Sequence, residues 1–171
     1  METSAESLGS VPLFQGLDPS ERARIAAISE PRTLGAQSPL FREGEPADAL
    51  WVLLSGSVEV VKKDAAGHHQ VLAVLHGPTV LREAALLLEG GPRSASALAL
   101  SELSLLRLPG VAFRRLLDGQ DLAALKLSLA LARVLASRLA QMNERLVAAQ
   151  QMGPEANTLA EFQKTLGAWH V

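Results

Sequence analysis

Leu50-Trp51-Val52-Leu53-Leu54-Ser55-Gly56-Ser57-Val58-Glu59-Val60-Val61 reads as two short strands on either side of a Ser-Gly pair. The second half alternates apolar and polar side chains, the period of a half-buried strand. The same pattern continues downstream. Asp64-Ala65-Ala66-Gly67 has the composition of a hairpin tip, and Gln70 to Leu75 returns as another strand. Ser94 to Leu100 and Glu102 to Leu108 supply two more. Glycines at 35, 44, 56, 67, 77, 90 and 91 punctuate these segments. Many short strands with turns at such spacing predict a sandwich or jelly-roll barrel.

Helical patterns flank the strands. Asp18-Pro19-Ser20-Glu21 is a helix start, with Asp as N-cap, Pro at the first position and Glu three residues after the cap. That helix is expected to run to about Ser29, ahead of Pro31. Val111 to Leu117 reads as a short helix. After Gly119 no Gly or Pro occurs until Gly153, so one long helix is expected from Asp121. Leu122, Leu129 and Ala136 fall on one heptad position, with Asn143 next in the series. Leu125, Ala132, Leu139 and Leu146 fall on the other. Leu-rich seams broken by one polar residue are a coiled-coil pattern. The helix could pack on its own barrel, but about 30 residues at 1.5 Å each span ~45 Å. That outruns a small barrel, so a dimer seam is favoured.

The expected organisation is a β-roll over 11–118, the long helix over 119–152, and a tail over 153–171. In the tail Leu159, Phe162, Leu166 and Trp169 recur at helical spacing. A short amphipathic helix there would fold back on the barrel or dock on a partner.

Composition narrows the function. The chain has 171 residues, 48% of them hydrophobic, and a net charge of −2, which leaves no broad basic face for nucleic acid. No cysteine is present, which excludes disulfides, iron–sulfur clusters and thiol redox sensing. Met1 to Ser10 has no apolar signal core, and no run approaches the ~20 apolar residues of a membrane span. The expected location is the cytoplasm. His68-His69 at the hairpin tip points to opposite faces and predicts no metal site. His76 reads as structural, and Glu43 and Glu45 as loop residues. No nucleophile elbow or P-loop appears, so catalysis and resident cofactors are not expected.

One segment carries ligand chemistry: Leu81-Arg82-Glu83-Ala84-Ala85-Leu86-Leu87-Leu88-Glu89-Gly90-Gly91-Pro92-Arg93-Ser94. An acid opens a short apolar helix, a Gly-Gly-Pro turn closes it, and an arginine begins a strand. Helix-start N–H groups attract phosphate, and a guanidinium fork adds charge-assisted hydrogen bonds. A carboxylate accepts from a ribose hydroxyl. The implied ligand is a nucleotide with a compact phosphate.

This cassette, together with Pro12-Leu13-Phe14-Gln15-Gly16-Leu17, Phe41-Arg42-Glu43-Gly44-Glu45-Pro46-Ala47-Asp48 and Leu53 to Val60, resembles the cyclic-nucleotide-binding domain family over about residues 11 to 147. The resemblance implies an eight-stranded jelly roll with helices at both ends, a mainly β fold. It implies that Glu83 binds the ribose 2′-hydroxyl and Arg93 the cyclic phosphate. Ala84 and Ala85 N–H groups and the Ser94 hydroxyl would complete the anion site. On the long helix it points to Asn143, with Met142 beside it, as the base contact. Asn143 read as a seam residue is equally compatible. The family's glycine before the ribose-binding acid is Arg82 here. Arg82 either turns to solvent or adds a phosphate contact, or else fills the pocket.

The expectation is therefore a non-enzymatic regulatory module that binds cAMP in preference to cGMP and signals through a homodimeric long helix. The alternative is a degenerate, ligand-free dimerisation or protein-interaction module. Many relatives carry a winged helix after the long helix. The tail offers one short helix and one basic residue, Lys164, so no direct DNA binding is expected.

Overall fold

A computed structural model describes residues 3–64, 67–81, 83–87 and 91–151. The element order is α1 (Ser4–Gly9), α2 (Pro19–Ala27), β1 (Glu30–Leu34), β2 (Pro39–Phe41), β3 (Ala49–Ser55), β4 (Ser57–Lys63), β5 (His69–His76), β6 (Thr79–Leu81), β7 (Ser96–Ala99), β8 (Leu103–Pro109), α3 (Gly110–Asp118) and α4 (Leu122–Gln151). Single 3₁₀ turns occupy Pro12–Phe14 and Glu83–Leu86. The described strands form two four-stranded antiparallel sheets, ordered β1-β8-β3-β6 and β2-β7-β4-β5. This is the expected jelly roll.

Ser55-Gly56 is not a hairpin turn. β3 pairs with β6 and β8, whereas β4 pairs with β5 and β7, so the chain crosses from one sheet to the other at Gly56. β3 is apolar at every position from Ala49 to Leu54 because both of its faces are covered. Leu50 and Val52 pack into a core shared with the helices, together with Leu8, Phe14, Ile25, Leu106, Leu108, Phe113 and Leu127. Leu53, and Trp51 at its margin, turn into the roll against Phe41, Val58, Val60, Leu81, Ala97, Leu103 and Leu105. Val58 and Val60 are buried while Glu59 is half-exposed, as the alternation of β4 predicts.

α1 was not among the expected elements, although Thr3 and Glu6 form a reciprocal capping box and Leu8 is fully buried. The cap at α2 is as expected. Asp18 Oδ1 accepts from the Glu21 N–H at 2.9 Å, and the Asp18 N–H donates to Glu21 Oε2 at 2.9 Å. β1 begins at Glu30, directly after α2, with Pro31 tolerated because β1 is an edge strand.

Two ion pairs tie α2 to the start of α4. Arg24 Nε lies 2.8 Å from Asp121 Oδ2, and Lys126 Nζ donates to Glu21 Oε1 at 2.6 Å. The Lys126 bond, then the Asp18 N–H, hold the Glu21 carboxyl below its ordinary value of 4.5. The Glu21 N–H, then the Ser20 hydroxyl, hold Asp18 below its ordinary 3.8. A carboxyl lowered by folding stabilises the native state above its unfolded pKa, and that stability is lost as pH falls through the folded value. The melting temperature is therefore expected to fall on acidification below these values. Lys126→Met, which removes the largest cause at Glu21, is expected to make the acid limb shallower. Circular dichroism melts across that limb check this, and parallel limbs for the two proteins would exclude the Lys126–Glu21 pair as a source.

α4 is two-faced. Ala123, Ala124, Leu127 and Leu131 are buried in the helical core. Leu122, Leu125, Leu129, Leu139 and Leu146, the predicted seam, are 40–55% exposed in the single protomer. One face of the helix thus packs on its own domain, and the leucine-rich face lies open. Among the described residues no helix is long and apolar enough to cross a membrane. The tail expected to form a helix at 159–169 lies outside the described residues.

Candidate functional site

Arg93 is placed by its backbone before its side chain matters. Residues 91–93 run antiparallel to the 44–47 loop: the Ala47 N–H donates to the Gly91 carbonyl at 3.0 Å, the Arg93 N–H to Glu45 at 2.8 Å, and the Gly44 N–H to Arg93 at 2.8 Å. Pro46 and Pro92 form an isolated bridge between the two segments. This pairing is why β7 starts at Ser96 and not at Arg93 or Ser94: residues 91–93 bond to a loop instead of a sheet neighbour.

The Arg93 side chain is 4% exposed. Its guanidinium carbon lies 4.1 Å from the centroid of the Phe41 ring, a cation–π contact. Its Nη2 is 3.7 Å from Asp48 Oδ1. Asp48 Oδ2 in turn accepts from Arg107 Nη2 at 2.6 Å, and Arg107 Nη1 donates to Glu30 Oε1 at 3.2 Å. Phe41, Asp48, Arg107 and Glu30 were not singled out from the sequence. Nothing in the spacing links β1, β8 and the 41–48 loop to Arg93, because only the sheet register brings them together.

The short apolar helix expected after the acid is a single 3₁₀ turn, Glu83–Leu86. Ala85 and Leu86 are buried, which anchors the turn in the core, and Leu87 is exposed. Arg82 lies outside the described residues, as do the side chains of Glu83 and Ala84. Ser94 is half-buried one residue after Arg93. The start of α3 closes on this region: the Gly110 N–H donates to the Asp48 carbonyl at 2.8 Å, and a Cβ on Gly110 would sit 3.2 Å from both the Ala85 and Asp48 carbonyl oxygens. A buried cation therefore stands at the end of a loop-clamped segment, suited to an anion.

Residues 31–120 match the cyclic nucleotide-binding domain family. The chain belongs to this family. The cyclic AMP receptor protein of Thermus thermophilus is 35% identical over 71% of this chain and 56% of its own length. A CRP-like cAMP-activated global transcriptional regulator of Mycobacterium tuberculosis is 29% identical over 82% of the chain and 61% of its own length. The chain thus spans about three fifths of these curated relatives. Among solved structures, the N-terminal domain of a transcriptional regulator from Streptomyces coelicolor A3(2) is similar, at a TM-score of 0.66 and 32% identity, covering 81% of this chain and 95% of that one.

Within this cyclic nucleotide-binding domain, the other residues weighed from the sequence lie on α4 and β5. Asn143 is exposed and continues the open heptad face of α4. Val134, Leu135, Arg138 and Met142 are the half-buried positions of the same stretch. His76 Nδ1 lies 2.8 Å from Ser57 Oγ on the neighbouring strand. Among the described residues no group of three metal-ligating side chains occurs.

Proposed function

We propose that this domain is a non-enzymatic sensor that binds a cyclic nucleotide, cAMP in preference to cGMP, and signals as a homodimer through α4. The observation that carries the reading is Arg93, buried and fixed by backbone pairing on both sides. In this reading Arg93 takes the cyclic phosphate, the Ala84 and Ala85 N–H groups and Ser94 support it, and Glu83 accepts from the ribose. The relatives support cAMP: they include a cyclic AMP receptor protein, a cAMP-activated regulator and cAMP-dependent protein kinase regulatory subunits. Its proposed place of action is the cytoplasm, and its proposed output a protein partner.

Isothermal titration calorimetry with cAMP and cGMP tests the ligand. Heat with cAMP, and weaker binding of cGMP, is the expected result; silence with both at millimolar concentration would sink the sensor reading. The second reading is a ligand-free dimerisation module, favoured by Arg82 in place of the cassette glycine. It predicts that silence together with a stable dimer.

The open leucine face supports the dimer in either reading. In the double variant Leu129→Glu, Leu139→Glu, charges enter the seam at positions exposed in the protomer. Light scattering is expected to show a dimer for the parent chain and a monomer for the variant, with the roll still folded. A parent chain that is monomeric at high concentration would exclude the seam.

A further inference from the structure

Asp48 is shared unequally between two arginines. Its Oδ2 is 2.6 Å from Arg107 Nη2, a charge-assisted hydrogen bond, whereas its Oδ1 is 3.7 Å from Arg93 Nη2, beyond hydrogen-bond range. Arg107 is held from the other side. It sits in β8 between Trp51 of β3 and Glu30 of β1 in the sheet register, and its Nη1 bonds Glu30 at 3.2 Å. The Asp48 side chain is 56% exposed, so no packing prevents its carboxylate from turning.

We propose that Arg107 is a positioning residue for the anion site: it draws the Asp48 carboxylate off Arg93 and so sets how much of the Arg93 charge an incoming phosphate meets. The proposal rests on Arg93 being the phosphate ligand. With Arg107 in place, the fork is divided between Glu30 and Asp48, and one carboxylate is kept at the edge of the site without closing on the buried guanidinium. With Arg107 neutralised, Asp48 moves to hydrogen-bond distance of Arg93. A ligand phosphate must then displace an internal carboxylate. The expected cost is roughly a fivefold loss of affinity, the size of a partly exposed ion pair.

The test is a double-mutant cycle on the full chain with Arg107→Gln and Asp48→Asn, read in two ways. Calorimetry with cAMP is expected to show the roughly fivefold loss for Arg107→Gln in the parent background and no loss in the Asp48→Asn background. In the absence of nucleotide, the Arg93 Nε–H resonance, assigned with Arg93→Lys, is expected to move on Arg107→Gln. It should not move when the same change is made on Asp48→Asn. Equal affinity losses in both backgrounds, or an Arg93 resonance indifferent to Arg107→Gln, would overturn the proposal. Arg107→Lys carries the same cycle should the glutamine variant not fold, because one ammonium cannot hold Glu30 and Asp48 as a fork does. A parent chain silent to cAMP and cGMP would remove the sensor reading, while the ligand-free spectra still decide whether Arg107 controls the Asp48–Arg93 contact.

Discussion

Arg93→Ala is expected to erase the nucleotide-dependent rise in melting temperature. A ligand at 100 times its Kd stabilises the native state by about 2.7 kcal/mol, which a thermal-shift assay resolves readily. Hydrogen bonds to charged groups contribute about 1.5–3 kcal/mol each, and a guanidinium offers a phosphate two at once. Losing both weakens binding by roughly two to four orders of magnitude, so the same ligand concentration leaves at most about 0.4 kcal/mol of the stabilisation. The backbone of residue 93 is held by its own N–H and carbonyl bonds to Glu45 and Gly44, so the substitution removes the side chain without releasing the segment. Lost stacking on Phe41 lowers the baseline melting temperature. The comparison is therefore between shifts and not between absolute values. Arg93→Lys keeps a charge but loses the fork, and is expected to restore only part of the shift. A full shift in the alanine variant would place the anion elsewhere.

Gly56→Ala is expected to destabilise the roll by about 3–5 kcal/mol, whatever the ligand does. Residue 56 has φ +98°, a conformation that L side chains rarely adopt. An added Cβ would also lie 2.4 Å from the Glu102 carbonyl oxygen and 2.7 Å from Leu103 Cδ2. The first neighbour is backbone at the entry to β8, and the second is a fully buried side chain, so neither gives way cheaply. For a chain of this length the melting temperature should drop by roughly 10 °C. Gly67→Ala is the control: it also has positive φ, at +86°, but among the described residues no non-neighbouring atom lies within 4 Å of an added Cβ, so its effect should be clearly smaller. Equal effects at the two sites would show that backbone strain, and not the sheet crossing, sets the cost.

Local rules explain why much of the fold was legible. The α2 cap was readable because Asp18 and Glu21 are three residues apart and satisfy each other's N–H groups. β4 was readable because one of its faces is buried and the other meets solvent, which writes a period of two into Val58-Glu59-Val60. β3 carries no such period, since it is covered on both faces, and only its turn-bounded length marked it as a strand. The Thr3 to Glu6 cap of α1 obeyed the same rule as α2, but without a following apolar run it did not stand out.

The site was legible in part. Arg93 stood out because a Gly-Gly-Pro turn precedes it, and its burial agrees with a fixed role. Its surroundings did not stand out. Glu43, Glu45 and Asp48 look alike in sequence, three acids in one loop. Glu45 lends its carbonyl to Arg93, whereas Asp48 lends its carboxylate to two arginines.

By itself the sequence determined the things that neighbours along the chain decide: where helices start, which faces are apolar, that α4 carries a leucine-rich face, and that an arginine follows the Gly-Gly-Pro turn. Tertiary structure alone decided that β3 and β4 belong to different sheets, that residues 91–93 pair with a loop, and that Arg107 stands between Glu30 and Asp48. The physical reason is range. Capping and periodicity act over one turn or one pleat, while an ion pair forms between any two groups that folding brings within about 4 Å, however far apart they lie in the chain.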